Sequence, residues 1–371
     1  MQKKIIGILT LVIVGVLLIG VLSAFLTNDE EREWYFDDYV SVSDNISLAS
    51  GSLEILNIDD KKYLHAHSVG SGYYVDDGKK IDVYVKKAKL DVYMLAGQSN
   101  ATYSNPDLSV AVKPMIGTGY YYGTQTTPTV RIDYDPSICQ MYDLIDPLGS
   151  LRVGDKAPAF VKTYYEETSH KVYFITAGIS GESIENFQPY SSSVWLHMDS
   201  VLTNALESVD KNQFDVSVMG YFWLQGESNP GATPEYYESK FLSMHNAILK
   251  GGLGEKFSKC FIAKVRYVTG KNVSATQLNL AEEYNSIVMA VPDTDSFTVE
   301  NGLMNQDNIH YSQLGNNELG IKFAESVVET YGLEKEPYSF DYLKVILGIL
   351  PIIISIALIV GVVMYSRIHR T

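Results

Sequence analysis

The chain has 371 residues, 46% of them hydrophobic, which is enough to bury at least one sizeable core. Its formal net charge is −15 at pH 7, with 44 acidic side chains against 29 basic ones. This balance excludes binding of nucleic acid or of an anionic lipid surface through bulk charge, and it is compatible with neutral substrates.

Two stretches of 22 residues each, 5–26 and 345–366, contain no charged residue. At about 1.5 Å per residue each reaches roughly 33 Å, enough to cross a hydrocarbon core of about 30 Å. Each is therefore predicted to be a transmembrane helix. A cleaved signal peptide is the alternative for the first stretch, although its apolar run exceeds the usual length of about 7–15 residues.

The charges beside these stretches predict their orientation. Lys3 and Lys4 precede the first stretch, and Arg367 and Arg370 follow the second. The positive-inside rule then places both termini in the cytoplasm and residues 27–343 outside the cell. The sequence thus predicts an extracellular domain held at the cell membrane by a helix at each end.

Residues 27–90 are predicted to form an acidic linker followed by a small β region. Short alternating segments, such as KIDVYVKKAKL, are separated by turns rich in Gly, Asp and Asn. His65 and His67 point to one face of a predicted strand, as two metal ligands can, but no third ligand stands nearby in the sequence. A solvated strand face is the better interpretation, so no metal site is predicted.

After residue 90 the pattern changes to an alternation of strands and helices. Apolar, β-rich runs predict strands at residues 92–95, 172–176, 216–224, 261–268 and 286–291. Longer segments predict helices at residues 157–168, 194–208, 234–250 and 313–331. Residues 277–284 are compatible with a further short helix. This alternation is typical of a parallel sheet with helices on both faces.

Residues 105–150 show little periodicity and are predicted to form a long loop, and loops of this length tend to shape a site. Cys139 lies in this stretch, whereas Cys260 lies in the apolar run KCFIAKV. Their spacing leaves open whether the two cysteines form a disulfide or remain free thiols.

A serine stands at the end of the first strand of the alternating region. In the segment DVYMLAGQSN, residues 91–100, the strand stops at Gly97 and Ser99 follows two residues later. Gly97 permits a sharp turn that a side chain would obstruct. If a helix begins there, Ser99 lies at the C-terminal edge of the sheet beside a helix N-terminus, where ligands and negative charge are favoured.

Three further segments carry residues suited to serine hydrolysis. They are ISGESI at residues 179–184, WLQGESN at 223–229 and DNIH at 307–310. The reaction needs a nucleophile, a base, an acid that orients the base and donors for the oxyanion, and these segments supply all of them. Each signal alone is weak, since a lone Asp-x-x-His before a helix is more often a cap and a surface histidine. Their order along the chain carries the prediction.

Together, GQSN, the glycine turn ending in Ser-Ile, WxQGES and DxxH resemble the motifs of the SGNH hydrolase superfamily. The branch they resemble most is the sialate O-acetylesterase-like carbohydrate esterases, over about residues 90–332. The resemblance implies a flavodoxin-like, three-layer αβα fold with a five-stranded parallel sheet. It also implies hydrolysis of acetyl esters on sugars without a cofactor.

The resemblance implies the roles of the site residues as well. Ser99 is the nucleophile, His310 the general base and Asp307 the acid that orients this base. The oxyanion donors are the backbone N–H groups of Ser99 and Gly181 and the side-chain amide of Gln225.

Three neighbouring residues, Gln98, Asn100 and Glu227, are expected to support the site, with Glu227 orienting other groups rather than reacting. The chain also departs from the family pattern: Leu224 and Asn229 stand where many members have a His and an Asp. These departures concern the substrate pocket rather than the three reacting residues.

The predicted organisation is two transmembrane helices (5–26 and 345–366), a linker with a β region (27–90), an esterase domain (91–332) and a second linker (333–344). The predicted function is a membrane-anchored extracellular serine esterase that removes O-acetyl groups from carbohydrates. A lipase or thioesterase of the same superfamily remains an alternative. A catalytically silent glycan-binding ectodomain is another, and the intact Ser99, Asp307 and His310 set counts against it.

Overall fold

The computed structural model describes residues 33–102, 106–129 and 134–333. Their strands are β1 (Trp34–Tyr35), β2 (Tyr39–Val42), β3 (Ile46–Gly51), β4 (Leu53–Ile58), β5 (Lys61–Ala66), β6 (Gly70–Asp76), β7 (Lys79–Lys86), β8 (Ala88–Gly97), β9 (Gly119–Gly123), β10 (Gln140–Asp143), β11 (Lys171–Thr176), β12 (Phe214–Leu224), β13 (Lys259–Ala263) and β14 (Ile287–Val291). Their helices are α1 (Ala157–Thr168), α2 (Ser193–Glu207), α3 (Pro234–Leu249), α4 (Tyr267–Glu283) and α5 (Gln313–Tyr331), with short 3-10 turns at Ser99–Ala101, Ile184–Phe187 and Thr294–Ser296.

The main sheet has seven strands in the order β10-β9-β11-β8-β12-β13-β14. Strand β8 lies at its centre and is buried at every position except Lys89. Alternate side chains of β8 enter two separate cores. Val92 packs in the core that contains α2, α3 and α4, whereas Tyr93 packs in the core that contains α1 and α5. The sheet is thus covered on both faces, which explains the continuous apolar character of its central strand.

The prediction of a five-stranded parallel sheet is wrong. The two additional strands, β9 and β10, lie within the stretch that was predicted to be a loop, and β10 runs antiparallel to β9. Strand β9 has the sequence GYYYG and is buried at all five positions. It shows neither polar–apolar alternation nor β-branched residues, and glycines bound it on both sides, so its pattern is that of a turn.

The predicted fold also carried a membrane helix at each end. Within the described ranges, no helix is long and apolar enough to cross a membrane. Residues 5–26 and 345–366 lie outside those ranges. The fold that the structure shows is therefore the seven-stranded αβα unit preceded by small β-sheets.

The predicted helices at 157–168 and 313–331 are confirmed with these limits as α1 and α5. The largest error concerns the strand predicted at 261–268: β13 ends at Ala263, and α4 begins at Tyr267, well before the short helix considered at 277–284. The segment that opens α4 is YVTG, whose aromatic and β-branched residues favour a strand. Gly270 has non-helical angles and divides the helix there.

The N-terminal β region consists of two small sheets, β1-β7-β6-β3 and β2-β5-β4. It is held to the αβα unit by Lys171 of β11, whose side chain is buried. The ammonium group of Lys171 donates to the carbonyl oxygens of Gly117 (2.6 Å) and Asp37 (3.1 Å) and to the carboxylate of Asp38 (3.2 Å). Three acceptors for one buried ammonium satisfy its hydrogen-bonding capacity.

His65 lies in this junction, so the interpretation of a solvated histidine face is wrong for this residue. Its Nε2 is 2.8 Å from the Asp37 carboxylate, and its Nδ1 is 2.8 Å from the Glu54 carboxylate. The other oxygen of Asp37 accepts a hydrogen bond from the Tyr120 hydroxyl at 2.5 Å. His67 is exposed, as expected. The cysteine question is also resolved, since Cys139 and Cys260 are both free thiols.

Two titratable groups at this junction make its stability depend on pH. Burial and the charge of Asp37 raise the pKa of Asp143 from 3.8 to about 7, against the opposing charges of Arg152, Lys171 and His65. Burial lowers the pKa of His65, but the hydrogen bonds to Asp37 and Glu54 outweigh it, and the pKa is raised above 6.5. In both cases the folded state binds the proton more tightly than the unfolded state does. The free energy of unfolding therefore falls as pH rises through the folded-state pKa values.

Replacing Asp143 by Asn should remove its share of this pH dependence. As the pH rises from the unfolded-state pKa of Asp143, near 4, to about 7, the free energy of unfolding of the wild type falls, because only the folded state still holds the Asp143 proton. A neutral amide at this position does not titrate, so the variant does not lose this free energy. We expect Asp143→Asn to raise the melting temperature relative to wild type by more at pH 8 than at pH 5. Thermal unfolding of both proteins at the two pH values measures this, and an equal difference at both would contradict the assignment.

Candidate active site

The site is built where the ends of β8 and β12 meet. Gly97 ends β8 with a backbone φ of +134°, and a Cβ at this position would lie 2.0 Å from the carbonyl oxygen of Leu224. A glycine is therefore required both for the backbone angle and for the close approach of the two strands. The N–H of Gln98 donates to the same carbonyl oxygen at 2.9 Å. This contact places Ser99 beside the segment that follows β12.

Ser99 begins a single 3-10 turn, Ser99–Ala101, and not an α-helix. The helix N-terminus considered from the sequence is therefore not the feature that activates this serine. Its side chain instead meets the loop before α5. The hydroxyl oxygen of Ser99 lies 2.9 Å from Nε2 of His310.

His310 is oriented by Asp307, three residues before it. The Nδ1 atom of His310 is 2.7 Å from Oδ2 of Asp307, and Oδ1 of the same carboxylate accepts the backbone N–H groups of Ile309 (2.9 Å) and His310 (3.0 Å). Partial burial raises the pKa of Asp307, but these hydrogen bonds outweigh it, and the pKa is lowered. The carboxylate therefore stays ionised, holds the Nδ1–H tautomer and leaves the Nε2 lone pair for the serine proton.

The glycine turn after β11 lies next to Ser99. The N–H of Ile179 donates to the carbonyl oxygen of Gly97 at 2.8 Å, which fixes the start of this turn. Gly181 has φ of +76° and is exposed. Within the described part of the chain, the backbone N–H groups of Ser99 and Gly181 donate to no protein acceptor. Both are available to a ligand oxygen.

The third predicted oxyanion donor, Gln225, is buried with 1% of its surface exposed. Its Oε1 accepts a hydrogen bond from the Tyr237 hydroxyl at 2.9 Å, which fixes the direction of the amide. Its Nε2 donates to Oδ1 of Asn229 at 2.5 Å and, over a longer 3.4 Å, to the carbonyl oxygen of Glu182. The longer contact is the one that a substrate oxygen can replace.

Asn229 connects the Gln225 amide to the segment that contains Ile184 and Glu185. In the sequence it stands out only as a departure from the family pattern. Its Oδ1 accepts the N–H of Ile184 at 2.9 Å in addition to the Gln225 amide, and its Nδ2 donates to both oxygens of Glu185, at 3.2 and 3.4 Å. An aspartate at position 229 would face the Glu185 carboxylate with a second negative charge. Glu185 and Asn229 are site residues that sequence reasoning missed, although both stand within or directly beside motif segments.

The three predicted supporting residues connect the loops that carry the site. Oε1 of Gln98 accepts the backbone N–H groups of residues 226 and 228. Nδ2 of Asn100 donates to Oε1 of Glu227 (2.7 Å) and to the carbonyl oxygen of Ile309 (3.1 Å), and Oδ1 of Asn100 accepts the N–H of Tyr311 (3.3 Å). Asn100 therefore ties the serine turn to the histidine loop.

Glu227 lies behind this network and is half-buried. Its Oε2 has no hydrogen-bond partner among the described residues. Burial raises the pKa of Glu227, against the hydrogen bond from Asn100 and the charges of His310 and Arg266. Because its other oxygen is engaged by Asn100, Glu227 acts on the site through its neighbours.

Arg266 is a further site residue that the sequence did not reveal. Its Nη1 donates to the carbonyl oxygen (2.8 Å) and to the side-chain oxygen (3.0 Å) of Asn308. Asn308 has φ of +55° and forms the tight turn between Asp307 and His310. Arg266 thus fixes the turn that lets the carboxylate fold back onto the imidazole.

The arrangement is suited to acyl transfer by a serine. A nucleophile, a base and an ionised acid are hydrogen-bonded in series, and two free backbone N–H groups with an oriented amide lie beside them. Across the described residues, no group of three or more His, Cys, Asp or Glu side chains is placed to hold a metal ion.

Comparison with known proteins gives a match to the family described as carbohydrate esterase, sialic acid-specific acetylesterase, over residues 142–329. The matched stretch includes Gly181, Gln225, Asp307 and His310, and Ser99 precedes it. No curated protein sequence matches the chain.

Several solved structures are similar at low identity. A protein of Arabidopsis thaliana is 13% identical, with 64% of this chain and 98% of that chain covered and a TM-score of 0.46. A carbohydrate acetylesterase from Xanthomonas citri is 14% identical, with 81% and 73% covered and a TM-score of 0.44. The protein NanS is 13% identical, with 66% and 98% covered and a TM-score of 0.43. None of the three carries an argument about this site.

Removing the charge of Asp307 should impair ester hydrolysis, because an amide at this position can present its N–H to Nδ1 and favour the wrong imidazole tautomer. We expect Asp307→Asn to lower kcat/KM for a small acetyl ester by at least about tenfold, or about 1.4 kcal/mol. Asp210→Asn is the matched control, since Asp210 also accepts a backbone N–H two residues on, at 2.9 Å, but lies in the loop before β12, which begins at Phe214. Equal rates for the two variants would show that Asp307 does not orient the base.

Proposed function

The chain belongs to the family of carbohydrate esterases described as sialic acid-specific acetylesterases, and we propose that Ser99, His310 and Asp307 hydrolyse O-acetyl esters of carbohydrates. That the protein is an ester-hydrolysing enzyme follows from the family. The roles of the residues and the identity of the substrate are the proposal. The observation that carries it is the series of contacts from Ser99 Oγ to His310 Nε2, 2.9 Å, and from His310 Nδ1 to Asp307 Oδ2, 2.7 Å.

In the first half of the reaction, Ser99 Oγ attacks the acetyl carbonyl carbon while Nε2 of His310 takes the serine proton. The carbonyl oxygen becomes an oxyanion that accepts hydrogen bonds from the N–H groups of Ser99 and Gly181 and from the Gln225 amide. Each such donor typically contributes a factor of about 10²–10³ to the rate. The tetrahedral species then collapses: the bond to the sugar oxygen breaks, and His310 donates its proton to that oxygen.

In the second half, a water molecule attacks the acetyl–serine ester. His310 takes one proton from the water, and the same donors hold the second oxyanion. Collapse breaks the bond to Ser99 Oγ, His310 returns its proton to that oxygen, and acetic acid leaves and ionises to acetate in the solvent. The ionised Asp307 stabilises the imidazolium that forms in both halves, which is consistent with its lowered pKa.

The direct test is Ser99→Ala. Without the nucleophile, we expect acetate release from an acetylated sugar to fall by at least about 10³-fold, with the melting temperature close to that of wild type. Ser296→Ala is the control, because Ser296 is an exposed serine that also belongs to a 3-10 turn. Full activity of a folded Ser99→Ala protein would overturn the proposed mechanism.

A lipase or thioesterase of the same superfamily is distinguished in the same assay. The proposed function predicts that kcat/KM is highest for acetyl esters and falls as the acyl chain is lengthened to butanoyl and octanoyl. A rate that rises with chain length, still abolished by Ser99→Ala, would favour the lipase alternative while keeping the assignment of the nucleophile.

We also propose that the domain acts outside the cell, on the strength of the charge pattern of the sequence alone. Protease added to intact cells should then digest it. Digestion that occurs only after the cells are lysed would contradict this location.

A further inference from the structure

A pocket formed by the loop that follows Gln225 takes no part in the steps above. It has a volume of about 490 Å³ and is lined by Glu185, residues 228–233 and Tyr236. The N–H of Ser228 donates to Oε1 of Gln98 at 3.0 Å, and Gln98 precedes the nucleophile in the chain. The pocket is therefore connected to the residue before Ser99 through the loop that follows Gln225.

Tyr236 presents an aromatic ring to this pocket, with 42% of its surface exposed. The backbone N–H of Tyr236 donates to the Thr233 side chain that caps α3 (3.3 Å), and interaction with the Glu185 carboxylate raises the pKa of the Tyr236 phenol. An exposed aromatic face can stack on the apolar face of a sugar ring, and a tyrosine has only two side-chain torsions to fix when it does so.

Glu185 gives the pocket its charge, because it is the one charged side chain among the lining residues named above. Burial raises its pKa, but hydrogen bonds from Ser183, Asn229 and Tyr236 outweigh it, and the pKa is lowered. The group is therefore an ionised carboxylate at neutral pH. A sugar hydroxyl is compatible with it, whereas a second carboxylate on the ligand is repelled.

This inference rests on the proposed function. We propose that the pocket binds the sugar that carries the acetyl ester, and that it selects an uncharged sugar over one bearing a carboxylate. Tyr236 supplies the stacking face and Glu185 supplies the discrimination. Sialic acid, named in the description of the family, carries a carboxylate at neutral pH. The pocket of this chain is thus matched to a different class of acetylated sugar.

Lys240 is a cation near the pocket that would attract a ligand carboxylate, so its effect on the proposed selectivity is to be tested. It lies one turn further along α3, with its ammonium nitrogen 5.8 Å from the centroid of the Tyr236 ring. It does not line the pocket. If Lys240 nevertheless paired with a ligand carboxylate, the preference would be reversed, and Lys240→Met would abolish that reversed preference.

The experiment compares three substrates: 4-nitrophenyl acetate, an O-acetylated methyl hexoside and O-acetylated sialic acid. We expect Tyr236→Leu to lose at least about tenfold more kcat/KM on the hexoside than on the aryl acetate, mainly through KM, because stacking stabilises ground state and transition state alike. The matched control is Tyr84→Leu, since Tyr84 is an exposed tyrosine (61%) on β7. It should leave the ratio of the two rates within about twofold of wild type.

Wild type should prefer the hexoside to acetylated sialic acid by about tenfold, which corresponds to about 1.4 kcal/mol. Glu185→Gln should narrow this gap at least about threefold by removing the charge. Equal losses on the hexoside and the aryl acetate in Tyr236→Leu would overturn the subsite. A wild-type preference for acetylated sialic acid would overturn the selectivity.

The failure of the proposed function is distinguishable from these outcomes. If wild type hydrolyses none of the three substrates, the function fails, and calorimetric titration with the acetylated hexoside decides the subsite by itself. Binding that is lost in Tyr236→Leu and kept in Tyr84→Leu would support the subsite. Absence of binding to wild type would overturn it.

Discussion

The approach of two strand ends, with Gly97 of β8 against the carbonyl oxygen of Leu224 in β12, is the constraint on which the site depends. A side chain at position 97 would collide with this carbonyl oxygen at 2.0 Å and push the strands apart. Because the strands stay together, Ser99 and Gln225 leave the sheet side by side. Asn100 then hydrogen-bonds the loop of His310 to the same point. The reacting groups come from distant parts of the chain, and a single backbone contact aligns them.

The carboxyl groups around this point differ in the direction of their pKa shifts because their surroundings differ. Asp307 is held ionised by three N–H donors, and Glu185 is held ionised by hydroxyl and amide donors. Burial instead raises the pKa of Glu227, which has one oxygen without a partner. Asp307, which in the proposed mechanism stabilises the imidazolium, thus has a lowered pKa. Glu227, which supports the loops, has a raised one. The second ionised group, Glu185, lines the pocket that we propose binds the sugar, where its charge would repel a carboxylate on the ligand.

The sequence predicted which side chains lie together better than it predicted the hydrogen bonds between the loops that carry them. Local patterns sufficed for α1 and α5, and the order of four short motifs placed Ser99 with His310. The strand GYYYG was missed because burial on both faces removes the alternation that marks a strand. Glu185, Asn229 and Arg266 were missed because their importance lies in hydrogen bonds between loops far apart in the chain. Such contacts leave no periodic signal in one sequence.

The proposed mechanism requires the donors of Ser99, Gly181 and Gln225 to converge on one carbonyl oxygen. The most direct measurement is a crystal structure of the protein after reaction with a small 4-nitrophenyl alkylphosphonate, whose tetrahedral phosphorus mimics the intermediate. We expect phosphorus bonded to Ser99 Oγ, with the phosphoryl oxygen about 3 Å from the N–H of Gly181 and from Nε2 of Gln225. The contact between Gln225 and the Glu182 carbonyl oxygen, 3.4 Å without ligand, should then be lost. An adduct on another residue, or a phosphoryl oxygen turned away from both donors, would contradict this mechanism.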